Sequence, residues 1–190
     1  GRATGTARVE LCAAVVIASR RGKLCEQVAA ELRDEGLDCT GLRCDATDEA
    51  GVNSLVEGVA AEHGRIDVMV CNAGGSLTTT YLPDASIDEF RETYELNTTS
   101  AYICAQAAAR HMIPRRSGRI ITLGSIHGSL ASDPRFYEGL DFRRSGPPYQ
   151  SAKGAIVNLT RSLAAELGRH GITVNCISPG QIPRANADER

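Results

Sequence analysis

Apolar positions along this chain follow two alternating periods. Residues Val15–Ser19 form a short, β-branched run, long enough for a buried strand. Leu24, Val28 and Leu32 then recur every four positions within 22–35, which predicts an amphipathic helix stopped at Gly36. Residues 38–44 form a weaker strand. Residues 47–63 put Val52, Leu55, Val56 and Val59 on one helix face, ending at Gly64. Residues 66–71 are apolar on both sides except at Asp67, the pattern of a strand covered by helices in a parallel sheet.

Ser86-Ile87-Asp88-Glu89 reads as a capping box. It opens a long helix that runs to about Met112, before Pro114. Residues 119–123 are another strand. Residues 126–147 read as loop, punctuated by Gly128, Pro134, Gly139, Gly146 and Pro147. Pro147 and Pro148 lead into a helix with Tyr149 in or near its first turn. Ile156, Leu159, Leu163 and Leu167 share one stripe of it, and it ends near Gly171. Residues 172–177 are the last strand. Strand alternating with helix predicts one α/β domain over 1–190: a doubly wound parallel sheet in three layers, α/β/α. Ligands of such sheets bind at the carboxyl ends of the strands.

Charge narrows the partners. The 190 residues carry 21 Lys+Arg against 23 Asp+Glu, which argues against nucleic acid or a membrane surface. No run approaches the ~20 apolar residues of a membrane span, and no signal peptide is visible, so the expected compartment is the cytoplasm. The seven cysteines, Cys12, Cys25, Cys39, Cys44, Cys71, Cys104 and Cys176, are scattered and never form a C-x-x-C pair. They read as reduced thiols packed as small apolar residues, with no metal site and no disulfide framework.

The chemistry centres on Tyr149-Gln150-Ser151-Ala152-Lys153. Residues four apart on a helix share a face, so a phenol and an ammonium stand together in one cleft. Alone that pair is a weak signal. Upstream lie Ser125, Asn97 and Cys71-Asn72-Ala73-Gly74-Gly75, and downstream lies Ser178-Pro179-Gly180. Each falls just after a strand end or on a neighbouring helix.

In this order the chain resembles the short-chain dehydrogenase/reductase family. The resemblance rests on residues 66–74, Leu96-Asn97, residues 120–125, Tyr149-x-x-x-Lys153 and residues 175–180. It implies a Rossmann-like fold and an oxidoreductase acting on CH–OH groups. It implies Tyr149 as the proton donor or acceptor at the substrate oxygen, with Ser125 orienting that oxygen. Lys153 would bond the nicotinamide ribose and lower the Tyr149 pKa, and Asn97 would hold a water in a proton relay with Lys153. A free phenol titrates near pH ~10, and a drop of roughly two to three pH units needs about 3–4 kcal/mol, which an adjacent, partly desolvated charge can supply. The cofactor positions implied are Gly1, Gly5, Ser19, Arg20, Asp45, Asn72, Ala73, Gly74, Tyr149, Lys153, Pro179, Gly180 and Ile182.

Bland roles stand beside these. Ser125 would serve as a strand-end turn residue, and Asn97 would satisfy backbone groups where its helix bends. Asp45 would cap the turn that follows it. Cofactor choice turns on Ser19-Arg20-Arg21, where an acidic side chain would favour NAD. A guanidinium suits a 2′-phosphate, so the expected cofactor is NADP, with NAD as the alternative. Otherwise Arg20 and Arg21 are solvated residues at a helix start.

The chain departs from the family pattern. Ala7 stands where the phosphate loop has its third glycine, and only Arg8 to Ala14 separate that loop from the strand at Val15. The chain stops at Arg190, before the family's lid and edge strand. It is therefore expected to be incomplete at both ends, the sheet lacking its first strand, which in the family lies between the strands at Val15 and Ile66, as well as the edge strand. The loop between Ser125 and Tyr149 is longer than usual, and Cys71 and Gly124 replace the common Asn and Ser. The reading is an NADP-dependent interconversion of a secondary alcohol and a ketone. Its alternatives are an NAD-dependent sugar or polyol dehydrogenase, or a non-catalytic remnant that binds nucleotide or another subunit. A homodimer or homotetramer is expected through the helices at 86–112 and after Tyr149, which carry Tyr102, Ala105, Ala109, Val157 and Leu163 beyond one core stripe.

Overall fold

The hydrophobic periods fold into five strands and five α-helices in a computed structural model that describes residues 13–140 and 143–180. In chain order these are β1 (Val15–Ser19), α1 (Gly22–Asp34), β2 (Cys39–Arg43), α2 (Glu49–His63), β3 (Val68–Cys71), α3 (Ile87–Tyr94), a π turn (Glu95–Thr99), α4 (Ser100–Arg115), β4 (Gly118–Leu123), α5 (Pro147–Leu167) and β5 (Ile172–Ile177). Every expected strand and helix is present, most ends within a residue or two, but the long helix expected over 86–112 is split by the π turn and runs on to Arg115, and α5 ends at Leu167, with a 3-10 turn, Gly168–His170, before Gly171.

All pairing is parallel. β1 pairs with β2, Val15 opposite Cys39 and Ser19 opposite Arg43. β4 lies between β3 and β5, with Val68 opposite Arg119 and Leu123 opposite Ile177. The expected sheet lacks its first strand, which leaves β1 and β3 each without a partner on one side. Among the described residues the strands form a two-stranded and a three-stranded sheet, and no strand joins β1 to β3.

The main core lies where α2, α4 and α5 meet β3, β4 and β5. It contains Val52, Val56, Ala101, Ala105, Ala108, Met112, Ile120, Leu163, Ile172 and Val174. The alanines keep α4 thin, which lets it lie close to the sheet and to α2. A smaller cluster, Ala29, Leu32 and Cys39 with Val15 and Ile17, holds α1 on β1 and β2. A fully buried side chain such as Leu32 or Ile120 contributes about 1.5–3 kcal/mol.

Four local features differ from the sequence expectation. α4 continues through Pro114 to Arg115. Proline there removes one donor in the last turn only, and Arg116 ends the helix with φ 51°. The capping box is half made: Ser86 Oγ accepts from Asp88 N and Glu89 N, but the Glu89 carboxylate turns to Thr79 N (2.9 Å) and Thr79 Oγ1 (2.5 Å). The loop at 126–147 holds two short 3-10 turns, Ile126–Gly128 and Pro134–Tyr137. Of the residues expected at an oligomer face, Ala105, Ala109 and Leu163 are already buried within one chain, and only Tyr102 stays broadly exposed. Small residues on α4 serve close intrachain packing, which a periodicity argument cannot tell from an interface.

Candidate active site

The site is assembled at the carboxyl ends of β3, β4 and β5, around the start of α5. Pro147 occupies the first turn of α5, where its missing N–H is no loss, so Tyr149 falls in that turn with Lys153 one turn later. Lys153 Nζ lies 5.5 Å from the centroid of the Tyr149 ring. The Lys153 side chain is buried, and its Nζ donates to Leu123 O at the end of β4 (2.7 Å). Burial pushes the Lys153 ammonium below its ordinary value, and the nearby Cys176 thiol opposes the shift.

Ser125 follows β4 directly. Its Oγ accepts from His127 N (3.2 Å), and its backbone oxygen accepts from Gly128 N (2.9 Å). The turn role is therefore real, yet the hydroxyl proton is still free to donate. A Cβ at Gly128 would stand 2.9 Å from Lys153 O, so a glycine is what lets this turn seat against α5. The exit of β5 closes the same corner: Ile126 N donates to Pro179 O (3.1 Å) and Gly124 N to Ile177 O (2.8 Å). A Cβ at Gly124 would lie 2.6 Å from Ser178 Oγ and 2.7 Å from Cys176 Sγ. That explains glycine where the family pattern has serine.

Asn97 lies in the π turn and is fully buried. Its Oδ1 accepts from Gly75 N (3.1 Å), and its Nδ2 donates to Gly75 O and to Thr93 O (both 2.8 Å). Asn97 thus clamps the turn after β3 to the helix. Gly74 has φ 154°, and a Cβ on it would fall 2.6 Å from Asn97 Oδ1 and 3.2 Å from Lys153 Nζ. Gly74, Asn97 and Lys153 therefore meet at one point. Both amide hydrogens of Asn97 are committed to backbone, so its side chain offers a water only the second lone pair of Oδ1.

The expected nucleotide side is looser. Ser19 Oγ accepts from Arg21 N (3.1 Å) and touches Cys25 Sγ (3.0 Å), a structural part at the start of α1. Arg20 is exposed and borders two open grooves. One, about 750 Å³, also has Arg21, Lys23, Glu26 and Arg43 on its walls. The other, about 470 Å³, runs from Arg20 and Thr47 to Leu77 and Leu96, beside Asn97. Neither is lined by Ser125, Tyr149 or Lys153. Asp45 has the capping role: its Oδ1 accepts from Thr47 N (3.0 Å) and Thr47 Oγ1 (2.8 Å). Those bonds, with Arg20 and Arg43 nearby, hold its carboxyl below the usual range. Asn72, Ala73 and Gly74 form the turn after β3, with Asn72 exposed, and Gly180 is exposed after β5. Gly1, Gly5 and Ile182 lie outside the described residues.

Sequence reasoning missed His127. Its ring meets the Tyr149 ring edge-on at 6.3 Å between centroids, and its Nδ1 lies 3.3 Å from Ser132 Oγ. It also missed the stitch from the long loop to the segment after Gly75. There Tyr81 OH donates to Arg144 O (2.8 Å), the Arg144 guanidinium lies 3.9 Å over the Tyr81 ring, and Gly146 N donates to Thr78 Oγ1 (3.3 Å). An aromatic residue paired with arginine near Pro147 was the only available signal. Among the described residues no group of His, Cys, Asp and Glu could hold a metal ion, and no helix is long and apolar enough to cross a membrane.

A family model described as short chain dehydrogenase matches residues 1–189. Zerumbone synthase of Zingiber zerumbet is 36% identical over 177 residues, which cover 92% of this chain and 61% of that protein. (+)-Borneol dehydrogenase 1 of Salvia officinalis is 38% identical over 168 residues, 88% of this chain and 59% of that protein. The chain thus spans about three-fifths of the length of these curated relatives. A gluconate 5-dehydrogenase of Burkholderia cenocepacia J2315, solved with NADP and tartrate, superposes with a TM-score of 0.82 at 30% identity, covering 99% of this chain and 69% of that one.

Proposed function

We propose, from the premise that this chain belongs to the short-chain dehydrogenase/reductase family, that the protein interconverts a secondary alcohol and a ketone by hydride transfer. The observation that carries the reading is the pairing of Tyr149 with buried Lys153, its Nζ 5.5 Å from the ring centre, in the first two turns of α5. Relatives named as alcohol dehydrogenases support the substrate class.

The residues present fit a nicotinamide cofactor. Gly74 leaves open the point flanked by Asn97 Oδ1 and Lys153 Nζ, which a Cβ would fill. Lys153 spends one N–H on Leu123 O and keeps two for ribose hydroxyls. Among the described residues Arg20 carries no hydrogen bond, so its planar fork is available for a 2′-phosphate, and NADP is the preferred cofactor. A solved relative holds NADP. When bound, the cofactor accepts or supplies the hydride.

The chain's own part is proton handling and orientation. Ser125 Oγ keeps its proton and donates it to the substrate oxygen, which fixes the carbon to be reduced or oxidised. Tyr149 passes a proton to or from that oxygen. Lys153 Nζ, 5.5 Å from the centre of the Tyr149 ring, stands one turn along α5 on the same side of the cleft. Oxidation of the alcohol also releases its hydroxyl proton, which would leave through Tyr149. The protein works as a cytoplasmic homodimer or homotetramer.

Tyr149→Phe tests the assignment. It removes the exchangeable proton and leaves the ring on Lys153. Turnover of a secondary alcohol should fall by roughly 10²–10⁴-fold, the usual worth of a positioned acid/base. Cofactor affinity should stay within twofold of wild type. Residual turnover within tenfold of wild type would overturn the role.

A further inference from the structure

The long loop after Ser125 places a titratable ring at the reacting centre that the proton chemistry above does not use. His127 is bound into the site at three points. Its backbone N–H donates to Ser125 Oγ (3.2 Å). Its ring meets the Tyr149 ring edge-on at 6.3 Å. Its Nδ1 is 3.3 Å from Ser132 Oγ, and Ser132 is itself buried. The ring is therefore anchored at Nδ1 and set against Tyr149, while the backbone of His127 is tied to Ser125. A neutral imidazole has one donor and one acceptor nitrogen, and the Ser132 hydroxyl can satisfy either kind. Nε2, the other nitrogen, has no partner among the described residues.

We infer that His127 is a substrate-binding residue whose Nε2 hydrogen-bonds a second oxygen on the substrate, so that the preferred substrate is a secondary alcohol with an oxygen function on the neighbouring carbon: a vicinal diol, or the α-hydroxy ketone it becomes. This rests on the reading of Tyr149 and Ser125 as the residues at the reacting oxygen. The argument is one of desolvation. A substrate bound at Tyr149 and Ser125 would cover the half-exposed His127 ring and take Nε2 out of solvent. A bare hydrocarbon ring would leave that nitrogen unpaired in a half-buried place, which is costly. A substrate oxygen one carbon away restores the bond. Sites built around such a bond discriminate strongly against analogues that lack the oxygen. Ser132 is a positioning residue, because it fixes which ring nitrogen faces the cleft.

The test is steady-state oxidation of cyclohexanol and of its vicinal diol, cyclohexanediol, with NADP and with NAD. The reading is the ratio of kcat/KM for the diol to that for cyclohexanol. In the wild-type protein the ratio should exceed ten. His127→Phe, which keeps an aromatic edge on Tyr149, should lower it at least tenfold, mainly through the KM of the diol. His127→Gln, which keeps a donor and an acceptor, should hold it within threefold of wild type. Ser132→Ala should lower it at least threefold and serves where the phenylalanine variant fails to melt cooperatively. A ratio within twofold of wild type in His127→Phe and Ser132→Ala would overturn the inference. A wild-type protein that oxidises cyclohexanol but not the diol would overturn the inference alone. A cooperatively melting wild type that oxidises neither alcohol with either cofactor would overturn the alcohol-dehydrogenase reading and this inference with it.

Discussion

Gly74 is the residue whose replacement the structure prices most closely. Its φ is 154°, where an L-residue costs on the order of 1–3 kcal/mol. A Cβ would stand 2.6 Å from Asn97 Oδ1 and 3.2 Å from Lys153 Nζ. Asn97 has no room to yield. Its amide makes three bonds, to Gly75 N, Gly75 O and Thr93 O, and any retreat stretches at least one of them. A lost bond is worth about 0.5–1.5 kcal/mol, and residual overpacking about 1–3 kcal/mol. These terms overlap, because moving Asn97 relieves the clash. Gly74→Ala should therefore destabilise the protein by about 2–5 kcal/mol, a large share of the 5–15 kcal/mol typical of a domain.

Urea denaturation followed by circular dichroism measures this as a fall in the midpoint at unchanged slope. Two glycines calibrate the scale. Gly75 has nothing within 4 Å of an added Cβ, so Gly75→Ala should shift stability by about 1 kcal/mol at most. Gly58 is exposed inside α2, again with nothing within 4 Å, and Gly58→Ala should stabilise by about 0.5–1 kcal/mol. If Gly74→Ala matched Gly75→Ala within about 1 kcal/mol, the convergence of Gly74, Asn97 and Lys153 would not be a tight one, and the reasoning would fail.

Three further outcomes follow from the site. Burial holds the Lys153 ammonium below its ordinary value of 10.5, so the folded state bears the cost of the charge below its own pKa and sheds it as pH rises toward 10.5. In that alkaline window the unfolded chain binds more protons than the folded one, so stability should rise with pH relative to Lys153→Met, which lacks the group; parallel profiles from urea melts would contradict the assignment. Arg20→Ala should weaken NADP binding by about 1.5–3 kcal/mol and NAD binding by much less, since a charge-assisted pair to phosphate is lost; equal losses in fluorescence titrations would show that Arg20 does not read the 2′-phosphate. Sedimentation at micromolar concentration should show a dimer or tetramer, an expectation that leans on exposed Tyr102 and on family membership, and a monomer would count against it.

What the sequence disclosed and what it hid divide along physical lines. Strands and helices came through because burial on one or two faces imposes a period, and β5, Ile172–Ile177, was placed to the residue. The partners Tyr149 and Lys153 came through because helical spacing alone brings them together. Asp45 was legible only as a choice between ligand and cap, since one Thr two residues on was enough to claim its carboxylate. His127 was hidden because its importance depends on a ring reaching across from the turn after β4 to α5. The gap between β1 and β3 was legible as well, because the seven residues from Arg8 to Ala14 are too few for a full helix and return turn, and among the described residues no strand fills it.

The π turn at Glu95–Thr99 shows how a feature can be invisible to periodicity and still leave a trace. Ser100 N donates to Glu95 O, five residues back, where an α-helix would bond four back. Such a widening strands carbonyls that the regular ladder would have filled. Two side chains take them up at the spacing the ladder has given up: Asn97 Nδ2 on Thr93 O (2.8 Å) and Ser100 Oγ on Leu96 O (2.6 Å). Thr98 Oγ1 meanwhile donates to Ala152 O on α5 (3.1 Å), the helix turn that carries Lys153. Four consecutive hydrogen-bonding side chains, Asn97-Thr98-Thr99-Ser100, stand mid-helix, just ahead of the largely apolar stretch at 101–109. Polar residues able to bond backbone are neutral or unfavourable inside a regular helix. A run of them there is therefore a signal that the ladder is irregular. The irregularity also explains why Asn97 reaches Gly75 at all: its amide spans from its own helix to the turn after β3, and in doing so ties the two strand-end elements of the site to one another. Any water shared between Asn97 and Lys153 must accept its proton from Lys153 Nζ, because Asn97 has no side-chain donor left to give.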